Sequence, residues 1–332
     1  MRDAVRAADR LHARLAGEID GALAAASHPP GAIHVTWAAA LDAAACAARY
    51  RGLGEAGWGF PGWEPATAGA AIGRAALDHH LAAAGDTAVA LPSPVEAVRK
   101  WIRDAATAGA PGVAGWVGDL RAGGERATLA AAAAAGARWL SGFVRVLGWP
   151  LPPGTALLGV TREGMPGAKW WPRQASPVSV GSGADARIGR VTGAGDHVLV
   201  VHRVAAPDDP DLLRRAAVEA AAGALVHRVA PDSILVTAGD TGERAPVAVD
   251  EALLDTGGDL LAAVVRQRVI AVDVGFDPAD ATPSGLCRRC PHAPDCRPGR
   301  GWLAGPGRWR GGLPALEPDP PPEAAPAATD ES

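Results

Sequence analysis

Four cysteines constrain this chain more than any other feature. Three stand together as Cys287-Arg288-Arg289-Cys290-Pro291-His292-Ala293-Pro294-Asp295-Cys296, and Cys46 lies roughly 240 residues upstream. A C-x-x-C pair offers two thiolates from one tight turn, as a zinc ion or an iron–sulfur cluster requires. A third late cysteine and one distant early cysteine complete a four-thiolate shell. Metal–sulfur bonds closing a loop of that length tie the two ends of a fold together. Two plainer readings stand beside this one. Cys46 sits in Ala43-Ala44-Ala45-Cys46-Ala47-Ala48, where a lone cysteine is ordinarily a small buried hydrophobe. A structural zinc would use the same ligands as a cluster.

Composition narrows the setting. With no secretory signal and four cysteines in 332 residues, a disulfide framework is not expected. Hydrophobic residues make up 48% without a long apolar run, so a non-membrane, cytoplasmic protein is expected. The net charge of −4 gives the whole chain no field favouring nucleic acid. The charge is unevenly spread, however. Between Gly285 and Arg310 there are six arginines, among them Arg288 and Arg289, against the single Asp295. From Ala315 onward there are five acidic residues, no basic ones and repeated prolines, the signature of a disordered tail over 301–332. The basic stretch suits phosphate contact, or equally a solvated face covered by that tail.

Local signals place the elements. Residues 2–26 read as a helix, within an N-terminal segment 1–32. Ile33 to Trp37 reads as a short extended entry into a helix carrying Cys46, and Gly52–Pro65 as a loop anchored by Trp58, Phe60 and Trp63. Thr67 can cap a helix to about Ala84. Pro92 to Trp149 is mostly helical, an insertion of about residues 90–150. Ala186–Thr192 and His197–Val204 read as strands around a Gly-Ala-Gly-Asp turn, and Ser233–Ala238 and Pro246–Val249 as a second pair. Helices over Pro210–Val226 and Glu251–Arg268 follow each pair. The resulting order is β-β-α-β-β-α-Cys.

This order, the stretch Cys46-Ala47-Ala48-Arg49-Tyr50-Arg51 and the closing C-x-x-C-x-x-x-x-x-C resemble the PD-(D/E)XK nuclease superfamily. The similarity is to its RecB/AddB-like branch and covers roughly residues 33–300. It implies an α/β restriction-endonuclease-like core, with a mixed central sheet flanked by helices and a C-terminal Fe-S clasp. It also implies a 4Fe-4S cluster, rather than Zn, on Cys46, Cys287, Cys290 and Cys296.

The resemblance fails at the catalytic positions. Such nucleases use carboxylates to hold Mg²⁺ or Mn²⁺ and a lysine to help activate water. Here Arg74 stands where the family places a histidine, Gly189 stands for the first strand's aspartate, and His202 and Val204 replace the acid and lysine of the second strand. Near the family's glutamine and tyrosine lie Arg215 and Glu219. Arg74, Arg190 and Arg203 would make the old metal pocket cationic. For Arg74 a buried ion pair and phosphate binding are equal expectations, and Arg74, Arg190, Arg203, Arg288 and Arg289 are the nucleic-acid-binding candidates. Asp185, Asp196, Glu163 and Lys169 are the candidates for a migrated site. Trp58, Trp63, Trp170 and Trp171 are candidates for stacking on single-stranded bases, although tryptophans mostly fill cores.

Three functions follow as expectations. The first is a catalytically inactive, nuclease-like iron–sulfur protein that binds DNA or another nucleic acid, or scaffolds a DNA repair or defence complex with a helicase or nuclease partner. The second is a metal-dependent DNA nuclease with a migrated site. The third is a protein–protein interaction module with a purely structural cluster.

Overall fold

Ala8, Leu11, Leu15 and Ile19 recur at three- and four-residue spacing along α1 (Arg2–Ala24), and all four are buried. The computed structural model describes residues 2–27, 31–52, 63–84, 93–110, 112–147, 155–160, 169–174, 176–182, 184, 186–190, 197–203, 210–238, 244–284, 287 and 290–305. These form a mixed α/β protein in which helices predominate. None of the described helices is long and apolar enough to cross a membrane.

The buried stripe of α1 packs on α8 (Pro210–His227) and α9 (Glu251–Asp273) in one hydrophobic core. Arg14 donates to Asp259 at 2.7 Å and Arg266 to Glu18 at 3.0 Å along the solvent edge of the α1–α9 contact. A small sheet joins this core, in the order β1 (Ile33–Val35), β4 (Val178–Gly181), β3 (Lys169–Trp170). Gly257 lets α8 and α9 cross closely, since a Cβ there would stand 2.0 Å from the carbonyl oxygen of Ala217.

The larger sheet has the order β2 (Thr155–Val160), β5 (Ala186–Arg190), β6 (His197–Arg203), β7 (Ser233–Ala238), β8 (Arg244–Ala248). β2, β5 and β6 are antiparallel neighbours, β6 and β7 are parallel, and β7 and β8 are antiparallel. A parallel pair needs a crossover, and α8 supplies it. Alternation along β7 uses both faces of the sheet. Ile234 and Val236 enter the α1–α8–α9 core, while Leu235, with Ile188 of β5, packs against a second core. That core is built by α4 (Pro65–Ala84), α5 (Pro94–Asp104), α6 (Gly112–Ala122) and α7 (Arg126–Leu147).

Several elements differ from expectation. Thr67 lies inside α4, which opens at Pro65, because proline tolerates a first turn whose N–H groups lack helical partners. The cap of that kind falls instead at Ser93, where Ser93 and Glu96 form a reciprocal box at the start of α5. β8 begins before Pro246, which is tolerated because β8 is an edge strand. β2, β3 and β4 were not legible as strands. The aromatic loop over 53–62 and the acidic tail lie outside the described residues.

Candidate metal centre

Cys46 occupies the break between two helices rather than a position within one. Thr36 caps α2 (Trp37–Ala45), which ends as Cys46 turns to an extended conformation (φ −161°, ψ 100°), and α3 (Ala47–Gly52) starts at once. The break leaves Cys46 at a helix end and only 6% exposed.

The late cysteines stand on successive tight turns. Cys290 N–H donates to Cys287 O at 3.2 Å, Ala293 to Cys290 O at 3.1 Å, and Cys296 to Ala293 O at 3.4 Å. A three-residue repeat of this kind returns residues 287, 290, 293 and 296 to similar positions along the coil. The Cys296 side chain caps α10 (Arg297–Leu303), accepting from Gly299 N–H at 3.4 Å, and Cys287 Sγ accepts from Ser284 N–H at 3.4 Å. Each of these two bonds directs a backbone N–H at a sulfur and fixes the side chain's orientation.

All four cysteines line one narrow pocket, and none is in a disulfide. Gly299 forms one wall: a Cβ there would fall 3.3 Å from Cys296 Sγ and 3.6 Å from Cys287 Sγ, a snug contact with both sulfurs. Burial pushes the Cys290 thiol up, opposed by the backbone at His292 and by Arg49, and reinforced by Cys287 and Cys46. Cys46 is thus close enough to act on a residue from the other end of the chain. Among the described residues, no three His, Cys, Asp or Glu side chains are gathered tightly enough to hold a single metal ion. A tetrahedral zinc at about 2.3 Å from each sulfur demands S···S separations of about 3.8 Å. A cluster takes one thiolate on each of several irons and accepts a wider spacing. Four thiols lining one pocket are the donor set that a thiolate-bound cluster would need.

Protein contacts support the same junction. Arg49, 2% exposed, lines the pocket and donates to Asp42 at 3.3 Å. Arg51, also buried, donates to Gly275 O at 3.2 Å and Gln267 at 3.3 Å, and pairs with Asp280. Arg268 donates to the Tyr50 hydroxyl at 3.1 Å and lies over its ring. His292 stacks on Phe276 with ring centroids 4.3 Å apart. In the sequence Arg49 and Arg51 stand out only by their i+3 and i+5 spacing from Cys46.

The expected nuclease positions are not brought together. Gly189 pairs with His197 and with Ala156, at the turn end of the β5–β6 hairpin. His202 pairs with Thr237 at the other end of β6. Arg190 pairs with Thr155 and Arg203 with Ala238, so the hairpin separates them by about 20 Å of strand. The cationic pocket expected from Arg74, Arg190 and Arg203 is therefore not assembled by this register. Arg74 is partly buried on α4, its guanidinium 5.7 Å from the Trp139 ring centroid. Arg187 of β5 was not singled out, yet burial lowers its pKa. On α8, Arg215 lies 4.1 Å over the Trp37 ring, and Glu219 accepts from the Ser182 hydroxyl at 3.1 Å. Both are buried in the core beside the small sheet. Val204, Asp185, Asp196, Glu163, Trp58, Arg288 and Arg289 lie outside the described residues. Trp63 approaches Trp116 at 6.5 Å, Trp170 is buried and Trp171 is exposed.

No family model matches the chain. No curated protein matches it.

Proposed function

We propose that this chain is a catalytically inactive, nuclease-like protein that holds a 4Fe-4S cluster on Cys46, Cys287, Cys290 and Cys296 and binds nucleic acid. The observation that carries this reading is the single pocket lined by all four cysteines, three from near the C-terminus and one from the α2–α3 break. The strand order supports a nuclease-like core: three antiparallel strands, a helical crossover and a fourth strand parallel to the third. When bound, such a cluster would supply a structural tie between the two ends of the fold. The chain's own residues orient the thiolates through the Ser284 and Gly299 N–H groups, and Arg49 balances their negative charge from inside the pocket.

Loss of catalysis follows from residue chemistry and placement together. Gly189 offers no ligand, and His202 lies at the far end of the hairpin from it. Divalent-metal catalysis of phosphodiester hydrolysis needs carboxylates gathered at one point. In this reading the protein holds a strand without cutting it, alone or as a scaffold for a helicase or nuclease partner in DNA repair or defence.

The test is a paired assay on anaerobically purified protein, with single- and double-stranded DNA in Mg²⁺ and Mn²⁺. The expected result is salt-sensitive binding in a gel shift, with intact substrate. Cleavage that disappears in Asp185→Asn or Asp196→Asn overturns the reading in favour of a migrated active site.

A further inference from the structure

A second groove, separate from the cysteines, lies where the edge strand β3 meets α1 and the end of α8. Its volume is about 440 Å³, within the range of small-ligand sites. Lys169, Arg173 and Arg228 line it, with His12, Trp170 and Trp171, and no carboxylate is among its described lining residues. Arg173 also pairs with Asp20, leaving Lys169 and Arg228 as the less compensated cations.

Three observations mark this groove as a built site rather than a gap. Trp171 is 47% exposed at its rim, while no other Trp, Phe or Tyr among the described residues is exposed. Trp170 is buried with His12 packed edge-on against it at 5.2 Å, and its Nε1 has no acceptor among the described residues. Arg228 follows the last residue of α8 with φ 59°, the sole positive φ of a non-glycine among the described residues. Glycine takes that conformation without strain. An arginine stands there instead, and it lines the groove. Burial and Lys169 both hold His34 below the usual histidine pKa, consistent with a cationic field on this face.

We infer that this groove binds one nucleotide unit, its base stacked on Trp171 and its phosphate held by Lys169 and Arg228. An aromatic platform beside cations is what a base joined to a phosphate requires. The unit comes from a single strand or from a free nucleotide. The single-strand form deepens the proposed function by naming the surface that would carry it, and rests on that reading; the groove itself does not.

Isothermal titration of the intact protein with a roughly 10-nucleotide oligothymidylate, and separately with thymidine monophosphate, tests this. Trp171→Ala is expected to weaken strand binding by about 5-fold or more, the loss of one stacked base. Arg228→Gly is expected to weaken it and to flatten the slope of log K against log salt by about 0.7. Because Arg228→Gly relieves the backbone, it should melt no lower than the parent, which separates lost contact from lost folding. If the parent binds the strand and both variants bind it equally well, the groove is not the site and the nucleic-acid reading stands. If thymidine monophosphate binds with the same losses but the strand does not, the groove stands and that reading falls. If the parent binds neither, both are overturned.

Discussion

The cysteine pocket and the β5–β6 hairpin are the two regions where widely spaced residues were expected to meet, and they behave in opposite ways. At the pocket, the α2–α3 break and the late turns converge, and buried Arg49 and Arg51 fasten the junction from the protein side. At the hairpin, residues 13 apart or fewer in sequence are held at opposite ends by strand register. Nearness along the chain therefore predicts little about a shared site in a sheet. A strand pair fixes position through its register, and every residue along it moves about 3.3 Å further from the turn. A ligand set fixes position through its own geometry and pulls distant segments together.

The sharpest way to break this contrast is at the clasp. Cys290→Ser should abolish visible iron–sulfur absorbance and leave little folded protein, because metal binding and folding share one free energy on the order of 10 kcal/mol. Absorbance and circular dichroism read both effects. Arg51→Ala should keep the colour but cost about 2–3 kcal/mol, from the loss of charged hydrogen bonds to Gly275, Gln267 and Asp280, measured by urea unfolding. If Arg51→Ala bleaches the protein, the brace and the metal centre are one device and not two.

At the hairpin, Gly189→Asp restores the expected carboxylate alone. It should destabilise the chain by about 2 kcal/mol, because Gly189 is buried, and it should give no Mg²⁺-dependent cleavage. Cleavage by that variant would mean that the register seen here does not describe the active geometry. The smallest effect concerns Asp42. Its folded pKa is raised by burial, with Arg49 partly opposing the shift. A carboxyl raised in this way favours the fold at low pH, and that contribution is lost as pH rises from the ordinary carboxylate value through the raised one. The melting temperature of Asp42→Asn relative to the parent should therefore rise across that interval.

Much of the architecture was legible because periodicity and turn chemistry state it locally. The β5, β6 and β7 strands, the crossover helix α8 and the alanine-rich helices around residues 94–147 all follow from such signals. The strands β2, β3 and β4 were not, since Thr155–Val160 shows no polar–apolar alternation and Lys169–Trp170 is only two residues long. The late C-x-x-C gave the site its position, but nothing in the alanine run around Cys46 marks a helix break. That break depends on tertiary packing of α2 and α3 against α9. Arg190 and Arg203 seemed a natural pair because each adjoins a replaced catalytic position, Gly189 and His202. Their separation depends on register, which a single sequence does not state.

The most direct test of the central claim is an iron and acid-labile sulfide count on anaerobically purified protein, compared with Cys46→Ser. The account requires a brown parent with about four irons and four sulfides per chain, and a Cys46→Ser variant that loses most of both. A colourless parent that binds one zinc, or a Cys46→Ser variant that keeps its full iron, would contradict it.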